Sequence, residues 1–255
     1  YIEGCHNLFC RLPEVPEKRH TPLITPDPEK IMYVAASSLP YHISGYTTRT
    51  QSILKALFAQ SWDVSCITRP GYPLDRADSL VIPAKNEQVS DVGGVSYEAV
   101  SGVHRRKVPF DRYITDSVEI LERKCRKECP ALIHAVSNYE TALPALIAAR
   151  KLGIPFIYEV RGFWEYTSAS KVEGWENTER FRLDRQLESL VAANADLVLT
   201  LNRSMADELE SRGVNKDKIL LAPNALDSEK FYPRPKDALL AEKLGVGEDT
   251  FVIGY

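Results

Sequence analysis

Residues 131–165, ALIHAVSNYETALPALIAARKLGIPFIYEVRGFWE, constrain the fold of this chain more than any other stretch. Ala131 to Ser137 is a short apolar run, and Thr141 to Leu152 has the alanine- and leucine-rich composition of a helix. Gly153 stops that helix, and after Pro155 a second apolar run extends from Phe156 to Val160. Apolar runs flanking a helix are the pattern of parallel strands buried on both faces. A right-handed crossover brings both carboxyl ends to the same edge of the sheet. Those ends carry Ser137, Asn138, Arg161 and Gly162, at the edge where open α/β sheets bind ligands.

The same alternation runs along the chain. Strands are expected at Lys30–Ala36, Asp63–Thr68, Asp196–Leu201 and Lys218–Ala222, with short ones at Leu80–Ile82 and Val95–Val100 around a Gly93-Gly94 turn. Helices are expected at Tyr46–Gln60, Asp111–Glu128, Glu176–Asn194, Ser204–Arg212 and Ala238–Leu244. The fold class is therefore α/β, a doubly wound parallel sheet. Pro13, Pro16, Pro22, Pro26 and Pro28 argue against regular structure in residues 1–29, read as a leader or linker. Residues 30–230 form the main domain. Residues 231–255 read as a linker and the start of a further domain, with Phe251–Tyr255 its first strand. The first residue is Tyr, which suggests a piece of a longer protein.

A net charge of −3 gives no electrostatic reason to expect nucleic acid. No apolar run is long enough to span a bilayer. The five cysteines, Cys5, Cys10, Cys66, Cys125 and Cys129, fit no zinc spacing. Cys125 and Cys129 lie one helical turn apart, but thiols in a reducing cytosol are the simpler reading. No metal or cofactor is expected. The G-x-G-x-x-G fingerprint, the P-loop and the G-x-S-x-G elbow are all missing, which disfavours a dehydrogenase, a P-loop enzyme and a standard serine hydrolase.

What remains is the loop after the first strand. Gly45 lies just ahead of a helix whose first N–H groups, at Gly45, Tyr46 and Thr47, face outward and favour an anion. Thr47 and Thr48 offer hydroxyl donors. A plain turn with Ser44 as N-cap explains the same residues. Glu159 and Arg161 share one face of a strand: either a sugar or phosphate grip, or an ion pair that ties down a loop. Phe163, Trp164, Tyr166 and Trp175 either stack on sugars or form a buried satellite cluster. Asn138 is a helix N-cap or a ligand contact, with Tyr139 beside it. His134 reads as a core histidine. His42, in an exposed loop, and Arg49, one turn into the helix, are candidate ligand contacts.

Four segments then occur in a telling order: SSLPYHISGYTTRTQSILKAL, IHAVSNYETALPALIAARKLGIPFIYEVRGFWE, ADLVLTLNRSMADELESRGV and KILLAPNALDSEKFYP. Over about 30–255 the chain resembles the amino-terminal domain of glycosyltransferase family 4, the retaining enzymes of the GT-B fold. The resemblance implies an acceptor-side, Rossmann-like lobe facing a donor lobe across a cleft. It implies transfer from a nucleotide-diphosphate sugar to a glycan or lipid-linked acceptor, without metal, in the cytoplasm or at the inner membrane face. The acceptor proton would leave with the departing phosphate. By position, Ser44, Gly45 and Tyr46 match the loop that approaches the donor pyrophosphate. His42, Arg49, Asn138, Tyr139, Glu159 and Trp164 fall on the acceptor side. Arg161-Gly162 matches a His-Gly or His-Asp site beside the donor sugar. Arginine cannot serve there as a base, so its catalytic role would be electrostatic or positional. PNALD has Ala225 where the family has glycine. The family's glutamate pair belongs to the donor lobe, and the chain is expected to stop where that lobe begins, leaving this piece alone inactive. A sugar-nucleotide epimerase of the same fold and a non-catalytic α/β module remain open as alternatives.

Overall fold

The computed structural model describes residues 2–76, 89–229, 231–247 and 249–253. In chain order it contains helix α1 (Ile2–Cys10), strand β1 (Asp27–Ala35), α2 (Gly45–Ala59), β2 (Asp63–Thr68), β3 (Val89–Val92) and β4 (Val95–Glu98). Then come α3 (Phe110–Glu128), β5 (Pro130–Val136), α4 (Tyr139–Leu152), β6 (Phe156–Val160) and α5 (Trp164–Ala169). A 3₁₀ turn, Trp175–Asn177, precedes α6 (Glu179–Asn194), β7 (Leu197–Thr200), α7 (Arg203–Ser211), β8 (Ile219–Leu221) and α8 (Ala238–Lys243).

The strands form one sheet in the order β3-β4-β2-β1-β5-β6-β7-β8. Every pairing is parallel except the β3–β4 hairpin at one edge, which turns at Gly93-Gly94. Residues 80–82, expected as a strand, lie outside the described residues. Alternation along β1 explains how both faces are filled. Met32 and Val34 point into a core shared with α1, α3, α4, α6 and α7, while Ile31, Tyr33 and Ala35 point into a second core under α2. From β1 the chain builds outward to β2 on one side and later to β5 on the other. The β1–β5 boundary is thus the switch point of the sheet, where ligands bind in open α/β folds.

The amino-terminal segment departs from expectation. It starts with a helix, because the five prolines all lie after Cys10 and leave Ile2–Cys10 free to coil. Leu8 joins the main core, and a side chain on Gly4 would overlap the backbone of Phe110, so α1 sits tightly on the start of α3. Strand β1 begins at Asp27, three residues earlier than expected. The aromatic segment after β6 contains α5, and α6 starts at Glu179, not Glu176, because Thr178 caps it by accepting from Phe181 N at 3.1 Å.

Tyr1–Pro223 is one compact unit and Asn224–Tyr255 another. In the second, Asp237 caps α8 by accepting from Leu240 N, and Lys236 Nζ donates to Gly247 O at 2.8 Å. Residues 251–253 are not in a strand, since none of the sheet pairings reaches them. Among the described residues no helix is long and apolar enough to cross a membrane.

Beneath α5 and α6 the first unit buries Glu188, Glu165, Tyr158 and Arg212. Tyr158 donates to Glu188, and Arg212 pairs with Glu165 at 2.7 Å. Burial pushes the Glu188 carboxyl up to about 8; the Tyr158 hydrogen bond opposes the shift, and neighbouring Glu165 adds to it. A carboxyl raised in the folded state contributes stability that is complete below its unfolded value, near 4.5, and is lost as pH rises toward 8. Glu188→Gln keeps the acceptor and removes the titration. In urea melts from pH 5 to 8 the variant should gain on the parent by ~1.4 kcal/mol per pH unit at most. A gap that does not change with pH would mean that Glu188 is ionised throughout.

Candidate functional site

The site grows from the start of α2. Ser44 sits at the N-cap with extended backbone. Its Oγ accepts from Thr47 N at 3.4 Å, and its own N–H donates to Thr47 Oγ1 at 2.9 Å, completing a capping box. The hydroxyls of Thr47 and Thr48 both donate to Ser44 O, at 3.0 and 2.9 Å, so the ligand-donor role considered for them is already taken by the cap. The N–H groups of Gly45 and Tyr46 remain in the first turn, where a helix has no acceptors of its own. A Cβ on Gly45 would meet nothing within 4 Å. The turn does not require glycine; the space above it is open.

Three expected site residues, Arg161, Glu159 and Arg49, lie behind this turn, and a fourth, Tyr139, is buried against α6; none of the four lines a cavity. Arg161, only 7% exposed, donates through Nη1 to Tyr46 O and Thr50 Oγ1, both at 2.8 Å. Through Nη2 it reaches Tyr33 Oη at 2.5 Å and Glu159 Oε2 at 2.8 Å. Glu159 is fully buried and also accepts from Arg49 Nε at 2.8 Å, with His134 Nε2 3.3 Å away. Burial alone would raise its carboxyl, but His134 and Arg161 together hold it far below the usual carboxylate range. Arg49 also donates to Ala222 O at 2.7 Å and Pro223 O at 3.1 Å, tying α2 to the chain after β8. Tyr139 is buried and donates to Asp184 Oδ1 at 2.6 Å. The Glu159–Arg161 pair is thus a structural tie that fixes the first turns of α2. His134 is the core histidine expected.

The other candidates converge. A cavity of about 180 Å³ at the switch point is lined by His42, Ser44, Tyr46, Asn138 and Trp164, together with Arg69, Arg76, Arg105 and Glu140. Tyr46 and Trp164 meet edge to face, and Trp164 Nε1 donates to Tyr46 Oη at 3.1 Å. Gly162 allows this pairing, since a Cβ there would sit 3.0 Å from the Tyr46 hydroxyl. His42 is half-buried rather than exposed, because its loop folds back and its Nε2 lies 3.4 Å from Arg76 Nη2. Asn138 occupies the N-cap position of α4, yet its side chain makes no capping hydrogen bond. It is 4% exposed.

The arginines were missed from sequence. Arg69, directly after β2, forms a buried two-pronged pair with Asp75, with Nη2–Oδ1 at 2.8 Å. Arg105 Nε lies 3.2 Å from the same carboxylate, and its guanidinium also pairs with Glu140. Burial first, then the Arg69 charge, lowers Arg105 to about 10. The position of Arg69 at a strand's carboxyl end was a usable signal. Nothing local marks Arg105.

A second cavity, about 920 Å³, opens beside the first. Arg105, Asn138, Glu140 and Trp164 line both. Its far wall is α1, through Ile2, Cys5, His6 and Phe9, and its floor includes Trp175, Arg180 and Asp184. The aromatic segment therefore divides. Trp164 and Trp175 face cavities, whereas Phe163 and Tyr166 form a satellite cluster under Arg212, whose guanidinium carbon lies 4.2 Å from the Phe163 ring centre. Among the described residues no group of three His, Cys, Asp or Glu side chains is placed to hold a metal ion.

Comparison with known proteins places the chain. Sucrose-phosphate synthase from Thermosynechococcus elongatus superposes with TM-score 0.60 at 16% identity, over 86% of this chain and 53% of that one. A second structure under that protein's name gives 0.51 at 15% identity, over 85% of this chain and 95% of the other. At such identities the likeness speaks for the fold, and this chain spans about half the length of the first synthase chain. Among curated proteins no sequence matches. The family model described as a glycosyl transferase 4-like domain matches residues 44–225, from the Ser44 cap to Ala225. This chain, an amino-terminal lobe of the GT-B glycosyltransferase fold, belongs to the glycosyl transferase 4-like family.

Proposed function

We propose that this lobe is the acceptor side of a retaining glycosyltransferase. The whole protein moves a sugar from a nucleotide-diphosphate donor to a hydroxyl of a glycan or glycolipid, in the cytoplasm or at the inner membrane face. The observation that carries this reading is the open first turn of α2 beside the switch-point cavity. The N–H groups of Gly45 and Tyr46, with the helix dipole behind them, stabilise negative charge on the donor pyrophosphate as the sugar leaves. No metal is required for that task. Ser44 holds the turn in shape, and Arg161 holds it in place from below through Tyr46 O. Arg161 is a positioning residue in this account. The acceptor hydroxyl lies in the cavity among His42, Asn138 and Trp164, and its proton leaves with the phosphate.

The test is transfer by the full-length protein, given a panel of radiolabelled nucleotide sugars and glycan acceptors. The reading expects label in glycan, and proton NMR of the product should show the donor's anomeric configuration. Epimerised nucleotide sugar as the sole product would point to an epimerase, and no turnover with any donor to a binding module.

A further inference from the structure

The switch-point cavity is too small for a whole acceptor. Its 180 Å³ lies below the ~300–1,000 Å³ of ordinary small-molecule sites, whereas the 920 Å³ cavity beside it lies within that range. Trp164 and Asn138 stand where the two join. Asn138 has a nearly buried carboxamide that is not spent on capping α4, and it offers both a donor and an acceptor at the junction.

The lining of the larger cavity selects the kind of molecule. Phe9, Trp164 and Trp175 bring three aromatic side chains to the lining. Between them stand charged groups already fixed by one another: Arg180 pairs with Asp184 at 2.8 Å and with Glu140 at 3.8 Å. An alkyl chain would cover those charges without satisfying them. A polyphosphate would meet three carboxylates, Glu140, Glu179 and Asp184, beside three arginines, of which Arg105 and Arg180 are already paired with Glu140 and Asp184. A pyranose has what both parts of the wall require, an apolar C–H face for a ring and a rim of hydroxyls for carboxylate and guanidinium.

We infer that the acceptor is a glycan of at least two sugar units, the accepting unit at the switch point and the preceding unit in the large cavity between α1 and the Trp164 and Trp175 rings. This rests on the glycosyltransferase reading above and adds the length and class of the acceptor. It also gives α1 a purpose. The helix is pinned by Gly4 against α3, and Phe9 and Ile2 on it complete the cavity wall.

The experiment probes the full-length protein on a glycan array of mono- to tetrasaccharides of the common hexoses and N-acetylhexosamines, attached through their reducing ends. Some di- or trisaccharide should bind about tenfold more tightly than the monosaccharide of the same terminal sugar. Trp175→Ala should abolish most of that advantage and spare the monosaccharide; Phe9→Ala, on a different element, should do the same if Trp175→Ala fails to fold. Equal binding of mono- and oligosaccharides, an advantage that survives both substitutions, or no bound glycan at all would overturn the inference. The transferase reading fails separately: glycans bound by length but no sugar transferred would sink that reading while leaving the cavity's glycan specificity standing.

Discussion

Arg161→Ala should lower the unfolding free energy by ~3–5 kcal/mol, the usual cost of breaking a buried ion pair from one side. The guanidinium is the hub of a buried network. It joins β6 to α2 through Tyr46 O and Thr50 Oγ1, and to β1 through Tyr33. Its loss leaves Glu159 buried with Arg49, His134 and the Tyr33 hydroxyl and without its Arg161 partner, so that carboxyl rises. The sign follows. A carboxyl held low contributes stability that is present above its unfolded value and lost as pH falls through its folded one. The loss begins near the unfolded value, about 4.5, in both proteins and ends at a higher pH in the variant, so the variant's deficit is full at neutral pH and narrows as pH falls below that value. Arg161→Lys should recover little, because one ammonium cannot span four partners fixed by a planar fork. Urea melts across pH 3–7 read both effects. A variant of parental stability with transfer abolished would instead assign Arg161 to the substrate.

Gly45→Val should do the opposite. Stability should stay within ~1 kcal/mol, because nothing crowds the new side chain and the backbone is not left-handed. Transfer should fall by about 10²-fold or more, since the branched side chain fills the space through which pyrophosphate must approach the Gly45 and Tyr46 N–H groups. Gly45→Ala should fall between the two. Kinetics and melting on the same samples separate a blocked ligand from a damaged fold. Parental turnover in the valine variant would remove this turn from the donor site.

The sheet was legible because its signals are local. Apolar runs of five to seven residues, glycine after Leu152 and serine ahead of α2 fix β5, α4, β6 and the cap with little help from distant residues. Gly153 indeed closes α4 in the left-handed conformation, at φ 75°. The edge carrying the site was legible for the same reason. Side-chain roles along it were not. Glu159 and Arg161 share a strand face, and sequence alone does not say whether that face points to ligand or to neighbours; Tyr33, Thr50 and Arg49, distant in sequence, decide it. Arg105 and α1 escaped for a related reason. Arg105 is held by Asp75 and Glu140, and α1 by its contact at Phe110, none of them near neighbours in the chain. Trp164 and Trp175 belong to one aromatic cluster in sequence with Phe163 and Tyr166. Only packing under Arg212 separates the two that face cavities from the two that do not.

The central claim is that the first turn of α2 receives the donor's pyrophosphate. A crystal structure of the full-length protein with a bound nucleoside diphosphate tests it directly. The account predicts phosphate oxygens within hydrogen-bond reach, ~2.7–3.2 Å, of the Gly45 or Tyr46 backbone nitrogen. A well-ordered diphosphate held elsewhere, with that turn closed lobe to lobe and still empty, would contradict it.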